Sequence, residues 1–396
     1  MKDLLLAIRR EFLTALHDPR RLVFLFGAAM AYLIVFGLLY VPNIVKDVPC
    51  VVYDAENSHF SRELVRDIES SDSMRAVLFV DSEEDMREAL RQKQAYAAIE
   101  IPADFSRKVK TGQSAEVLYM ANGANIILTN ITSSAMQDIL ADFSDRFAAE
   151  RTALRTGGDE ELLQHMISPV HAHLRVLYNT TQGYMFFFLL GLAMVAFQQG
   201  ILFAVGAAIC GEYEQLRAGE GDWQGPSWLL LVAKLVLYFV LAMLSYLLVT
   251  VLVQYVFAIP LKAPLGTLLG LAAAFIIAAM SFAIFASAIF PREMEFVRAI
   301  IMYPVPAFIL SGYTWPQESM PAWLQTVAEA FPLSWFSNTV RELFLAGHSP
   351  RLAGDYQAFA VLTAVFLSLG AMLFCWRMRR YRRAAAQAPE QTVERN

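Results

Sequence analysis

Residues Leu22–Val41 form a run of 20 residues without a single charge. As an α-helix such a run is about 30 Å long, the thickness of a bilayer's hydrocarbon core. Further apolar runs occur at 184–209, 228–257, 265–290, 296–311 and 356–376. A helix that is apolar all round has to be covered on every side. A chain of 396 residues with 17% charged residues, against about 25% in a soluble domain, lacks the polar surface to cover six of them. These runs therefore predict an α-helical polytopic membrane protein with six transmembrane helices.

Charge orients the spans. Lys2, Arg9, Arg10, Arg20 and Arg21 precede the first span, and RMRRYRR (377–383) follows the last. Basic flanks stay on the cytoplasmic side, so segment 1–21 and tail 377–396 are both expected inside, the tail disordered beyond 384. Six spans satisfy both ends. Leu5, Ile8, Phe12 and Ala15/Leu16 share one helical face, away from Lys2, Arg9 and Arg10. That pattern predicts a helix in the membrane interface, with a cytoplasmic extension of the first span as the alternative. Pro19 begins a new segment.

The same orientation puts 42–183 outside. Within 42–178 there are 14 Lys+Arg and 22 Asp+Glu, so the soluble part is acidic although the whole chain carries only −5. An acidic domain excludes nucleic acid as the natural partner. Strand patterns at 50–54, 76–80, 96–101 and 115–120 alternate with helix patterns at 58–70, 82–92 and 104–111, which predicts an inserted α/β extracytoplasmic domain. Residues 125–155 keep helical periodicity and read as an arm or hairpin bent at Gly157-Gly158, returning to the membrane through 161–177. Cys50 falls across the membrane from Cys210 and Cys375, so no internal disulfide framework is implied.

Between Met302 and Gly347 the apolar pattern breaks repeatedly. Pro304 and Pro306 interrupt it, and Ser311-Gly312 ends it. Pro316 and Pro321 bracket a polar turn, Pro332 stops a short helix beginning near Trp323, and a second runs from Trp335 to Leu345. The pieces are too short to span and too apolar for a loop. A pair of re-entrant helices at 312–347 fits, because broken backbone at membrane depth is tolerated where it is buried in protein or lines a cavity. Trp315, Trp323 and Trp335 suit an outer interface. Gly312, Pro316, Met320, Pro321, Trp323 and Pro332 are the candidate exit-gate residues. Gln198 and Gln199, near the middle of a span, are expected to face protein, as an interhelical hydrogen bond or as part of a substrate pathway.

Several chemistries are missing from the sequence. There is no G-x-x-x-x-G-K-[ST], H-E-x-x-H, G-x-S-x-G or G-x-G-x-x-G. His165, His171 and His173 cluster without a flanking Cys or paired carboxylate, so ordinary surface histidines are the better reading and no metal site is assigned. Lys234 sits near the inner end of its span and is expected to snorkel to the surface. Ion-coupled transport needs intramembrane acids or bases; their scarcity points to energy supplied by a separate ATPase. The segment 210–227, EYEQLRAGEGDWQGPS with its flanks, is acidic against the positive-inside bias, which suits docking to another protein.

These residues resemble the type-2 (ABC-2) permeases of ATP-binding-cassette exporters, in the subgroup with a large outside domain after the first span. The resemblance rests on L-S-G-Y-T-W-P-x-x-x-M-P-x-W-L-Q, F-P-L-S-W-F and R-E-L-F-L-A-G within 310–347. It rests also on R-R-E-F-L-x-x-L-H-D-P-R (9–20), similar to the family's elbow helix, and on E-Y-E-Q-L (212–216), similar to its coupling segment. L-Y-N-T-T (177–181), V-Y-D-A-E-N-S and I-P-A-D-F add weaker matches. The family's Gly-Thr after the second acid is missing, with Ala218-Gly219 as a loose equivalent.

The resemblance implies a permease subunit that is not itself an enzyme. It would act with an ABC ATPase and a second permease chain, identical or a sibling, in the bacterial inner membrane. Arg9, Arg10, Glu11, Glu212, Tyr213, Glu214, Gln215 and Leu216 would couple to the ATPase. No cofactor would bind this chain, ATP and magnesium belonging to the ATPase. Cargo would be amphiphilic or hydrophobic (drug, lipid or polymer) and move outward, with membrane lipid and a periplasmic adaptor as further candidate partners. The alternative is an extracytoplasmic receptor or scaffold on a passive membrane anchor.

Overall fold

A computed structural model describes residues 2–42, 44–111, 113–156, 178, 179, 183–221, 223–290 and 292–393, with no side chain described in 149–156 and 384–393. The bend at Gly157-Gly158, the return through 161–177, the histidine trio and most of L-Y-N-T-T lie outside the described residues. The chain divides into two compact units, 1–43 with 176–396, and 44–175.

The elements run α1 (Lys2–His17), α2 (Pro19–Leu39), β1 (Val48–Asp54), α3 (His59–Ser70), β2 (Met74–Val80), α4 (Glu83–Arg91), β3 (Ala97–Ile101), α5 (Phe105–Thr111), β4 (Leu118–Ala121) and α6 (Ile126–Thr156). After a π-helical turn, Met185–Leu189, come α7 (Leu190–Arg217), α8 (Ser227–Tyr255), α9 (Leu265–Ser287), α10 (Glu293–Ile301), α11 (Pro304–Leu310), α12 (Ala322–Glu329), α13 (Ser337–Leu345) and α14 (Leu352–Val393).

The smaller unit is the expected α/β layer. Its sheet has the order β2-β1-β3-β4, with β1 parallel to β2 and β3, and β4 antiparallel to β3. Successive side chains of a strand face opposite ways. Cys50, Val52 and Ile99 therefore meet Leu64, Ile68, Phe105, Met136 and Phe143 from α3, α5 and α6 on one face. Val51 and Ala98 meet Met86 and Ala89 of α4 on the other. The helix entry after β1 explains Y-D-A-E-N-S. Asp54 accepts from the Glu56 and Asn57 amides and the Ser61 hydroxyl, and Ser58 and Ser61 form a reciprocal capping box. The Glu56 carboxylate reaches on to the amide and hydroxyl of Ser106 at the start of α5. Partial burial pushes its pKa up, but the Ser106 and Ser58 hydrogen bonds outweigh this and hold it below the ordinary glutamate value. Burial raises the Cys50 thiol to about 11.

The larger unit is helical. Among the described residues, five helices are long and apolar enough to cross a membrane: α2, α7 with its π turn, α8, α9 and α14. α7 is the hub, packed against α2, α9 and α10, while α1 packs along α8 and α9 along α14. Three expected boundaries move. The second span continues as helix to Arg217, so the first part of 210–227 is a helix end and not a separate segment. The stretch 296–311 is two short helices, α10 and α11, and neither is long enough to span alone. The last helix runs unbroken to Val393 instead of giving way to a disordered tail. Without a proline or glycine directly after Trp376 nothing in the sequence stops it there.

Candidate functional site

The two acids of E-Y-E-Q-L sit two residues apart on the last turns of α7, about 200° around the helix axis, so they point to different neighbours. Glu212 turns inward. Both its oxygens take the guanidinium of Arg10 from α1 at 3.1 Å, and the Lys234 ammonium of α8 lies 3.3 Å away. Lys234 also holds Glu11 at 2.5 Å. Glu11, Glu212 and Lys234 are 0%, 4% and 2% exposed. Two cations and two anions thus form a buried cluster joining α1, α7 and α8. Lys234 does not snorkel: it is buried and ion-paired in place with Glu11 and Glu212.

Glu214 turns the other way and accepts from the Glu293 amide, the first residue of α10, at 2.9 Å. A carboxylate at a helix N-terminus satisfies an otherwise unpaired amide and is favoured by the helix dipole. Tyr213 and Leu216 are buried in the helical core, whereas Arg9 and Glu214 are exposed and Gln215 half-buried. Gln215 borders two clefts. One, of about 690 Å³, is flanked by Asp18, Arg20, Glu214, Glu220 and Glu293, and the other, of about 510 Å³, by Leu6, Arg9, Arg10 and Leu13. The coupling residues read from the sequence are therefore brought together, but they divide into an inner joint (Arg10, Glu11, Glu212) and an outer rim (Arg9, Glu214, Gln215).

The break between α10 and α11 explains the two glutamines. Pro304 has no N–H, and in a continuous helix its acceptor would be the carbonyl of Ile300. The Gln199 amide donates to that carbonyl at 2.9 Å, and the Gln198 amide donates to the Tyr303 hydroxyl at 2.8 Å. The adjacent glutamines of α7 thus bond both sides of the kink, which is the interhelical alternative raised for them.

Beyond α11 the chain turns at Gly312, whose φ of +76° favours glycine. A short three-residue turn (Gln317–Ser319) and α12 follow. Met320 packs with Leu310 and Ala328. Pro316, Pro321 and Trp323 are exposed, and Pro332 is buried. Past Pro332 the stretch enters the helical core: Phe336 lies flat on Phe275 of α9, ring centres 3.8 Å apart, with Phe359 at the edge of the Phe275 ring and Val340, Leu343 and Phe344 buried in the same core.

Tyr313, which the sequence did not single out, pins the turn to α7. Its hydroxyl donates to the Phe187 carbonyl and accepts from the Gly191 amide at 3.1 Å. Phe187 lies in the π-helical turn, where the wider winding releases a carbonyl for such a partner. Any side chain at residue 191 would collide with the Tyr313 ring, since a Cβ there would lie 2.5 Å from its nearest carbon. The Arg341 guanidinium stacks 4.4 Å from the Tyr313 ring centre and 4.8 Å from that of Phe187.

A bundle of helices long and apolar enough to cross a membrane, with a small sheet domain in the loop after the first of them, defines a multi-pass membrane protein. The chain belongs to the ABC-2 family of transporter proteins, whose family model matches residues 20–376. It is similar to the probable multidrug ABC transporter permease YbhR of Escherichia coli (strain K12), 23% identical over 344 residues that cover 85% of this chain and 88% of that protein. It is also similar to the probable multidrug ABC transporter permease YbhS of the same strain, 27% identical over 146 residues, 37% of each chain.

Proposed function

We propose that the chain is the permease subunit of an ATP-driven exporter that moves amphiphilic or hydrophobic cargo outward across the bacterial inner membrane. Both termini are cytoplasmic and the sheet domain is outside. Two permease chains work with two ATPase subunits, which bind ATP and magnesium. The observation that carries this reading is the divided acid pair. Glu212 ties the end of α7 to α1 and α8, and Glu214 ties it to α10. A push on this helix end is passed at once to three helices, one of which leads through the Pro304 kink to the Gly312 turn.

The ATPase seats on the outer rim around Gln215 and Glu220. The stretch 312–347 acts as a re-entrant exit gate, a reading supported by the burial of Phe336 and Val340 in the bundle. Multidrug transport, named for the two relatives, is the cargo class to test first.

Co-expression with the candidate ATPase, reconstitution into liposomes and a panel of amphiphilic drugs and lipids test the proposal. ATPase activity stimulated by at least one amphiphile is expected, and Gln215→Arg with Glu220→Arg is expected to release the ATPase while leaving the permease folded. An intact complex in that double variant would overturn the docking assignment. Cargo-independent ATPase activity together with no transport would favour the receptor reading.

A further inference from the structure

Helix α14 has one face that the rest of the bundle leaves open. Val361, Val365, Leu369, Met372 and Trp376 lie along it at helical spacing, each between 40% and 62% exposed. The same period, carried on, reaches Arg379, Arg380 and Arg383, all exposed. The opposite face is occupied. Phe374 and Met378 are buried. Arg377 donates to the carbonyls of Ile289 and Phe290, and Arg382 to those of Trp223 and Gly225. Tyr381 meets Arg217. The arginine run is thus sorted by helical phase: two are held by backbone carbonyls of two loops, and three point away from the protein at the end of an apolar stripe. Between stripe and arginines stands Trp376, with the Arg380 guanidinium 5.6 Å over its ring.

We propose that this face binds anionic phospholipid. Acyl chains lie along Val361–Met372, Trp376 sits at the glycerol level, and the headgroup phosphates meet Arg379, Arg380 and Arg383. The vertical order apolar, aromatic, cationic matches the depth profile of one leaflet. A soluble acidic protein would make no use of the apolar stripe. A second copy of this chain, presenting the same face, would set arginine against arginine. The assignment rests on α14 spanning the bilayer and not on the export reading.

The full-length chain in neutral detergent, titrated with phosphatidylglycerol or phosphatidylcholine and read by native mass spectrometry, tests this. The wild type is expected to retain phosphatidylglycerol in preference to phosphatidylcholine. Replacing all three arginines, Arg379→Gln, Arg380→Gln and Arg383→Gln, is expected to weaken phosphatidylglycerol binding by roughly a hundredfold, with phosphatidylcholine unaffected. Lysine at the three positions is expected to keep most of the selectivity. Undiminished selectivity in the glutamine variant would overturn the proposal. So would loss of a bound protein subunit in place of lipid. A photoactivatable phosphatidylglycerol gives a second reading on the wild type that needs no variant to fold: crosslinks within 372–383 support the site, and crosslinks confined to other segments reject it.

Discussion

Lys234 is the residue on which the buried charge cluster depends. Removing its charge takes from Glu11 and Glu212 the ammonium that bridges them, and breaking a buried ion pair on one side costs about 3–5 kcal/mol. Lys234→Met is therefore expected to lower the melting temperature of the detergent-solubilised chain by several degrees. Adding Glu11→Gln, which removes one of the two carboxylates, is expected to recover part of that loss. Equal melting of wild type and Lys234→Met would show that the cluster is solvated. In the sheet domain, Glu56 gives a pH dependence of defined sign. Its folded pKa is lowered, so its contribution is present above the unfolded value and is lost as pH falls through the folded one. Amide exchange at Ser106 is expected to lose protection on acidification in the wild type, and Glu56→Gln to show the weaker protection at every pH.

Glu56 and Ser58 were legible as helix-entry chemistry because capping is local. The partnership of Lys234 with Glu11 was not, since 223 residues separate them. Only the oddity of a lysine in an otherwise uncharged span hinted at it.

Elements show the same division. The long spans were legible because twenty apolar residues have few alternatives, and the four strands fell close to their expected places because the sheet has a buried layer on each face. The kink was legible as a proline, but its repair by Gln199 was not, because that partner lies on another helix. If the Ile300 carbonyl is what Gln199 serves, the two changes are coupled. Gln199→Leu alone is expected to cost about 0.5–1.5 kcal/mol, the net worth of one hydrogen bond, because the Ile300 carbonyl keeps the Tyr303 amide as a donor. In a Pro304→Ala background, where the helix amide returns, it is expected to cost much less. A double-mutant cycle on melting temperature measures the difference, and additive losses would reject the pairing. Tyr313→Phe removes the bonds to Phe187 in the π-helical turn and to Gly191 in α7. Faster amide exchange at Gly191 is expected, with Leu202 in the middle of α7 unchanged.

At the scale of the whole molecule, the sequence marked the family correctly because its motifs are spread from residue 9 to 347, and the family match confirms it over 20–376. It did not mark how charges at one end are shared among helices, since each partner sits in a different part of the chain. Thiol chemistry offers a global check on the packing. Cys50 and Cys210 are buried and Cys375 is partly exposed, and the Cys50 thiol is raised to about 11. A maleimide at neutral pH is expected to label the folded chain once, at Cys375, and three times after denaturation.

The unbroken course of α14 has a mechanical consequence. Its 42 residues make a rod about 63 Å long, roughly twice the hydrocarbon thickness of a bilayer. About half of it therefore projects beyond the lipid as a pointer. A tilt of about 10° within the bilayer would swing the free end by about 5 Å. A spin label near Val393 would then report, by its distance to a label on the Trp223 loop, how far the transmembrane part leans during each transport cycle.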